Sequence, residues 1–211
     1  MKIGIIDSGV FASHPHVNGV AGGVGIAPDG CEESDYTDRL GHGTAVTAVI
    51  REKAPEARIF AVKIFYDSLA TRIDPLIAAL DWCTRNEMDL VNLSLGTSNP
   101  AHAPLLLEAV GRLRSQGRLL IAAGEDDGVH WLPGNLPGVV AVELDWSCPR
   151  DEYRTATRAD GTIVHRASGF PRPAPGIPPE SNLKGLSFAV ANVTGLLARN
   201  WKKDAPAIPA R

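Results

Sequence analysis

Long apolar runs, paired cysteines and concentrated charge are all missing from this chain, and each absence removes a class of function. No apolar stretch approaches the roughly 20 residues that span a bilayer. The start MKIGIID has neither the cationic stretch nor the apolar core and cleavage site of a secretion signal. No membrane partner is expected, and the expected location is cytoplasmic. Cysteine is scarce: Cys31, Cys83 and Cys148 are odd in number and far apart, which suggests neither a disulfide framework nor a CxxC-type zinc site. Ordinary reduced thiols are expected. The formal charge is only −3, and the one basic run is Lys202-Lys203, so there is no electrostatic footprint for nucleic acid. Small or peptidic partners are the expectation.

What is present is enough apolar material for one compact domain, 44% of 211 residues. KIGII, ARIFAVKIF, DLVNLSL and RLLIAA are short β-branched runs of the kind found in strands buried on both faces. Between them lie helical patterns over 44–52, over 75–85 with Leu76, Ile77 and Leu80 on one face, and over 104–113 with Leu106, Leu107, Val110 and Leu113. Alternating strand and helix predicts an α/β fold, a mainly parallel central sheet with helices on both faces. LPGVVAVELD predicts another strand, 147–168 a hairpin turning near Asp160-Gly161, and 187–201 a last helix. GFPRPAPGIPP, with five prolines in eleven residues, must be irregular. GVAGGVG lacks the GxGxxG order of a dinucleotide site and reads as a flexible loop. The domain is expected over 1–201, with 202–211 a loose tail.

In such sheets chemistry collects at the carboxyl ends of the strands, where Asp7, Ser94 and Glu125 fall. Asp7, in IIDSGV, is ambiguous alone: it is a turn former, a phosphate-site residue or a nucleophile. His42 is framed by Gly41 and Gly43, open to close approach, with Thr44 placed to cap the following helix. His14 and His16 have no carboxylate or thiol at supporting spacing, so no metal is expected. Ser187 at a helix start is an N-cap or, with the backbone donors there, a nucleophile. Together, Asp7, His42 and Ser187 occur in one of the chain orders known for Asp-His-Ser triads.

IGIIDSGV, GHGTAV, VNLSLG, LLIAAGE, LPGVVAV and GLSFAVANVTG, running from residue 3 to about residue 198, resemble successive blocks of the subtilisin-like serine protease family. The resemblance implies a subtilisin-like three-layer fold and peptide-bond hydrolysis without cofactor. Ser187 would attack the carbonyl, His42 would carry the proton and Asp7 would hold the imidazole. It further implies that Ser94, Leu95 and Gly96 pair with an extended peptide or protein substrate, and that Ala122, Ala123 and Gly124 form the facing wall of the pocket for the residue before the cut. The insertion that binds calcium in many members is absent between His42 and the next strand. Nothing resembling the family's propeptide precedes Asp7, so a zymogen is not expected. By analogy, a short member of this kind suits one defined task, such as leader removal from a ribosomally made peptide.

One departure matters chemically. Where the family has an asparagine that donates to the oxyanion, this chain has Glu125, followed by Asp126 and Asp127. In subtilisin, loss of that donor costs about 10² to 10³ in kcat. Three outcomes stay open: a protonated Glu125 that donates, with Asp126 and Asp127 raising its pKa; a carboxylate turned away, giving a slower protease; or a weak or inactive peptide-binding scaffold. A partner protein that completes or restrains the site belongs with the last. The acids could also favour Lys or Arg before the cut, against the plainer expectation that Asp126 and Asp127 form a solvated loop. Leu186, Ala191 and Asn192 depart from the pattern around the serine without removing a catalytic atom. A nucleotide-binding α/β protein is the alternative from another class.

Overall fold

The computed structural model describes residues 1–201, so the expected tail over 202–211 lies outside the described residues. The apolar runs form β1 (Lys2–Asp7), β4 (Arg58–Lys63), β5 (Leu90–Leu93), β6 (Leu119–Asp126) and β8 (Val139–Leu144). Around them lie β2 (Gly22–Ile26), β3 (Glu32–Glu33), β7 (Val129–His130), β9 (Tyr153–Thr157) and β10 (Ile163–Ala167). All join one sheet in the order β3-β2-β4-β1-β5-β6-β8-β10-β9, with β7 folded onto β6. Every pairing is parallel except β2 with β3, β6 with β7 and β9 with β10.

Among the described residues, four α-helices cover the sheet: α1 (His42–Lys53), α2 (Ile73–Arg85), α3 (Ala103–Ser115) and α4 (Leu186–Arg199). Side chains alternate between the two layers as strand geometry demands. Ile3, Ile5, Ile121 and Ala123 join the core under α1 and α4, whereas Ile6, Leu120 and Ala122 join the core under α2 and α3. The expected three-layer α/β fold is therefore present. On α3 the inward face is Leu106, Ala109, Val110 and Leu113; Leu107, expected there, is 46% exposed.

Two expectations change. GVAGGVG is not a loop: its second half is β2, parallel to β4. Its glycines serve close approach, since a Cβ on Gly23 or Gly25 would stand 2.5 Å from the Ala61 or Asp35 carbonyl oxygen. LLIAAGEDD does not end at its small residues either. β6 continues through Glu125 and Asp126, shifts register between Ala123 and Glu125, and turns through Asp127 (φ 48°) and Gly128 (φ 77°) into β7. The acids belong to an ordered hairpin.

Connections place the site. From β1 the chain runs through the outer β2–β3 pair and then α1 to β4 on one side, and through α2 on the opposite face to β5 on the other side of β1. The carboxyl end of β1 is thus the point where the winding reverses, the crevice in which such sheets bind ligands. α4 packs beside α1. Gly195 permits their approach, because a Cβ there would lie 2.9 Å from Lys53 Cβ and 3.3 Å from Ile50 Cα. Gly195→Leu should force the two helices apart and lower unfolding free energy by about 1–3 kcal/mol, measured by urea denaturation.

Candidate active site

Asp7 ends β1 with its side chain 1% exposed, and His42 is the first residue of α1. His42 Nδ1 lies 2.7 Å from Asp7 Oδ1, which also accepts from the Ser8 amide at 2.7 Å. A carboxylate facing Nδ1 holds the proton there and leaves the Nε2 lone pair free to accept another. The flanking glycines explain how the two approach. Gly41 takes φ 85°; a Cβ on Gly43 would stand 2.2 Å from the Gly9 carbonyl oxygen and 3.2 Å from the Asp7 side chain. Burial pulls the His42 pKa down, but the hydrogen bond and charge of Asp7, with Asp38 behind, outweigh it and hold the pKa above the usual value.

The sequence suggests Thr44 as the cap of α1; in the structure Gly41 stands at the N-cap position and Asp38 supplies the capping acceptor. Asp38 Oδ1 accepts from the Leu40 and Gly41 amides at 2.9 Å and from Ser8 Oγ at 2.9 Å, and Oδ2 accepts from the Thr44 amide at 2.8 Å and its hydroxyl at 2.6 Å. Ser8 Oγ in turn accepts from the Gly43 amide at 2.9 Å. One carboxylate thus ties the turn after β1 to the start of α1. Burial would raise the Asp38 pKa, yet these donors hold it below the ordinary value. The available signal was an aspartate shortly before a glycine-framed helix start.

Ser187 is in the first turn of α4, after Gly185 at the N-cap position, so it is not the cap. Its neighbour Phe188 brings its ring centroid 5.8 Å from that of His42. Ser187 Oγ donates to the Ser94 carbonyl at 3.1 Å, and Ser94 Oγ donates to the Ser187 carbonyl at 3.3 Å. No hydrogen bond joins Ser187 to His42 among the described residues. Asn92 Nδ2 donates to Ser94 Oγ at 2.9 Å and Asn92 Oδ1 accepts from Thr194 Oγ1 at 2.9 Å, fixing Ser94 against α4. Asn192 donates to the Ser168 and Phe170 carbonyls, anchoring the irregular stretch before α4.

The expected pocket wall is closed. Ala122, Ala123 and Gly124 are all buried, and Ala122 faces the α2 and α3 core. The segment 131–135 lies across them. Trp131 N donates to the Gly124 carbonyl at 2.8 Å, and Asn135 Nδ2 donates to the same oxygen. Thr97 and Leu132 exchange backbone hydrogen bonds of 2.9 Å, so this segment also grips the strip Ser94, Leu95, Gly96. Gly96 leaves space for Trp131, whose Cβ would be 2.8 Å from a Cβ at Gly96. Trp131, which the sequence did not single out, therefore touches both strips, by its side chain at Gly96 and by its amide at Gly124.

Glu125, its side chain 34% exposed, has Oε2 3.5 Å from His130 Nδ1 and 3.8 Å from Arg158 Nη2. Asp126 has its pKa raised by burial and by Asp127. Among the described residues no group of three His, Cys, Asp or Glu side chains is placed to hold a metal. An oriented imidazole whose ring neighbours Phe188, one residue from the Ser187 hydroxyl at a helix N-terminus, presents the groups that acyl transfer uses.

Residues 1–150 match the model of the subtilase family, Peptidase_S8. The minor extracellular protease Epr of Bacillus subtilis is 38% identical over 167 residues, covering 74% of this chain and 24% of Epr. Subtilisin E of the same organism is 28% identical over 212 residues, covering 93% of this chain and 52% of subtilisin E. The chain thus spans about a quarter to about half the length of these curated relatives. The solved structure of the prenylagaramide maturation protease PagA superposes with a TM-score of 0.69 at 26% identity, over 94% of this chain and 74% of that one.

Two measurements check this geometry. Asp38→Ala should cost about 1–2 kcal/mol of unfolding free energy through the lost cap, read by urea denaturation. Because the folded His42 pKa is raised, its contribution to stability is present below the unfolded value near 6.5 and is lost as pH rises through the folded value. The stability difference between wild type and Asp7→Asn should therefore shrink from pH 6 to pH 8.5; a constant difference would refute the pairing.

Proposed function

This chain belongs to the subtilase family, and from that premise we propose that it is a serine endopeptidase that processes peptides. Ser187 Oγ attacks the scissile carbonyl, His42 Nε2 takes its proton and returns it to the leaving amine, and water then releases the acyl group by the same route. Asp7 keeps the imidazole in the accepting tautomer. The observation that carries the reading is the 2.7 Å contact of a buried carboxylate with His42, placed beside the first turn of α4. The Leu186 and Ser187 amides precede the first helical hydrogen bond of that turn and can donate to the substrate oxygen, whereas the Phe188 amide already donates to the Gly185 carbonyl at 3.0 Å. To react, Ser187 Oγ has to exchange its contact with the Ser94 carbonyl for one with His42.

Likeness to a prenylagaramide maturation protease supports the trimming of a precursor peptide, such as leader removal. Trp131, seated against Gly96, supports a small residue, glycine or alanine, before the cut, rather than Lys or Arg drawn by the acids. The second reading, a chain that binds peptides without cutting or whose site a partner protein completes, is favoured by Glu125 in place of an amide donor and by the resting contact of Ser187 with Ser94.

Intact-mass detection of a fluorophosphonate adduct separates the two. Wild type should label and Ser187→Ala should not. Labelling should be faster at pH 8 than at pH 5, because His42 must be neutral and its pKa is raised. Glu125→Asn should speed labelling by about 10- to 100-fold by restoring a donor. Faster wild-type labelling at pH 5 would instead support a protonated Glu125, and no labelling at either pH supports the second reading. Among peptides varied only before the cut, small residues should be preferred, and Trp131→Ala should widen the choice.

A further inference from the structure

An acid where the family resemblance implies an oxyanion donor needs something to offset its charge, and the structure brings an arginine within 3.8 Å of Glu125. Arg158 follows β9, and its side chain is 12% exposed. Its guanidinium spreads over three partners. Nε donates to Glu143 Oε1 at 2.6 Å, Nη1 donates to Asn135 Oδ1, and Nη2 lies 3.8 Å from Glu125 Oε2. Nη2 is buried and has no hydrogen-bond partner, so one edge of the fork is directed at the Glu125 corner without being consumed there. Gly124 makes the approach feasible: a Cβ on it would stand 3.2 Å from Nη2. Glu143 is also bound by Arg166 Nε at 2.9 Å, and one carboxylate shared by two guanidinium groups leaves positive charge over for Glu125. Asn135, which accepts from Arg158, donates to the Gly124 carbonyl, so the same network fixes the backbone carrying Glu125.

We propose that Arg158 is a positioning residue for the reaction: its guanidinium neutralises Glu125 and holds that carboxylate toward the β9–β10 hairpin, so that negative charge developing on the substrate oxygen is not repelled. This rests on the protease reading above and names how its least expected residue is made compatible with it. Arg158 touches no reacting atom in this account; it acts through Glu125.

The test is a double-mutant cycle on the full chain, read as the rate of fluorophosphonate labelling of Ser187, because phosphonylation builds charge on the same oxygen. Arg158→Gln should slow labelling about tenfold with Glu125 present and less than twofold in the Glu125→Asn background. Arg158→Lys, which keeps the charge, should recover most of the loss. An equal loss in both backgrounds would assign Arg158 a structural role through Glu143 and Asn135 and overturn the proposal. The same four proteins of the cycle are compared by thermal unfolding, which needs no turnover. If the two side chains pair, the drop in midpoint from Arg158→Gln should be larger with Glu125 present than in the Glu125→Asn background, and equal drops again overturn the proposal. Failure of Ser187 to label in every variant, Glu125→Asn included, would instead sink the protease reading, leaving the unfolding cycle to decide whether Arg158 and Glu125 are coupled.

Discussion

A buried carboxylate within hydrogen-bonding distance of an imidazole is the contact that the rest of this molecule is arranged to permit. Bringing Asp7 to His42 requires the end of β1 to meet the first turn of α1 at a distance no Cβ would tolerate, which is why Gly43 packs on Gly9. It also requires the turn after β1 and the helix start to be fastened together, the task of Asp38 with Ser8 and Thr44. The sheet supplies the remainder: β1 is where the winding reverses, so the crevice falls at Asp7 with Ser94 and Glu125 at the ends of the next two strands. Removing Asp7 from water is offset at Oδ1 by the Ser8 amide and His42, while Oδ2 is buried without a hydrogen-bond partner.

Much of this arrangement was legible in the sequence because it rests on local signals. β-branched runs marked the central strands, and the helical periods marked α1 to α4 within a few residues. Asp7, His42 and Ser187 could be picked out from their surroundings and their order. The rest was hidden for identifiable reasons. β2 is built of glycines, which carry no apolar period and are there because a neighbouring backbone comes too close. The continuation of β6 through two acids depends on pairing with β7 and β8, which no propensity reports. Trp131 reads as one more aromatic residue until Gly96 is seen beneath it. Arg158 meets Glu125 only after the chain has formed β8 and β9, so sequence neighbours say nothing of it.

The corner around Glu125 shows how an unfavourable residue is accommodated. Within it Glu125 and Glu143 face Arg158 and Arg166, with His130 at the rim. Considered singly, a carboxylate at that position argues for a dead site; considered with its neighbours, it belongs to an ion-paired group, bordered by Asp126 and Asp127, whose field differs from that of a bare acid. Local potential, and not residue identity alone, decides what such a position can do.

The helix that carries Ser187 is the last one described, and the strand that carries Asp7 is the first. They belong to one core, with α4 lying against α1 and over the central strands. Asp7 and His42 are held together at the junction of β1 and α1, whereas Ser187 reaches the same crevice only through the packing of α4 on α1. Loosening that one helix would separate the candidate hydroxyl from the imidazole while leaving the Asp7–His42 contact in place.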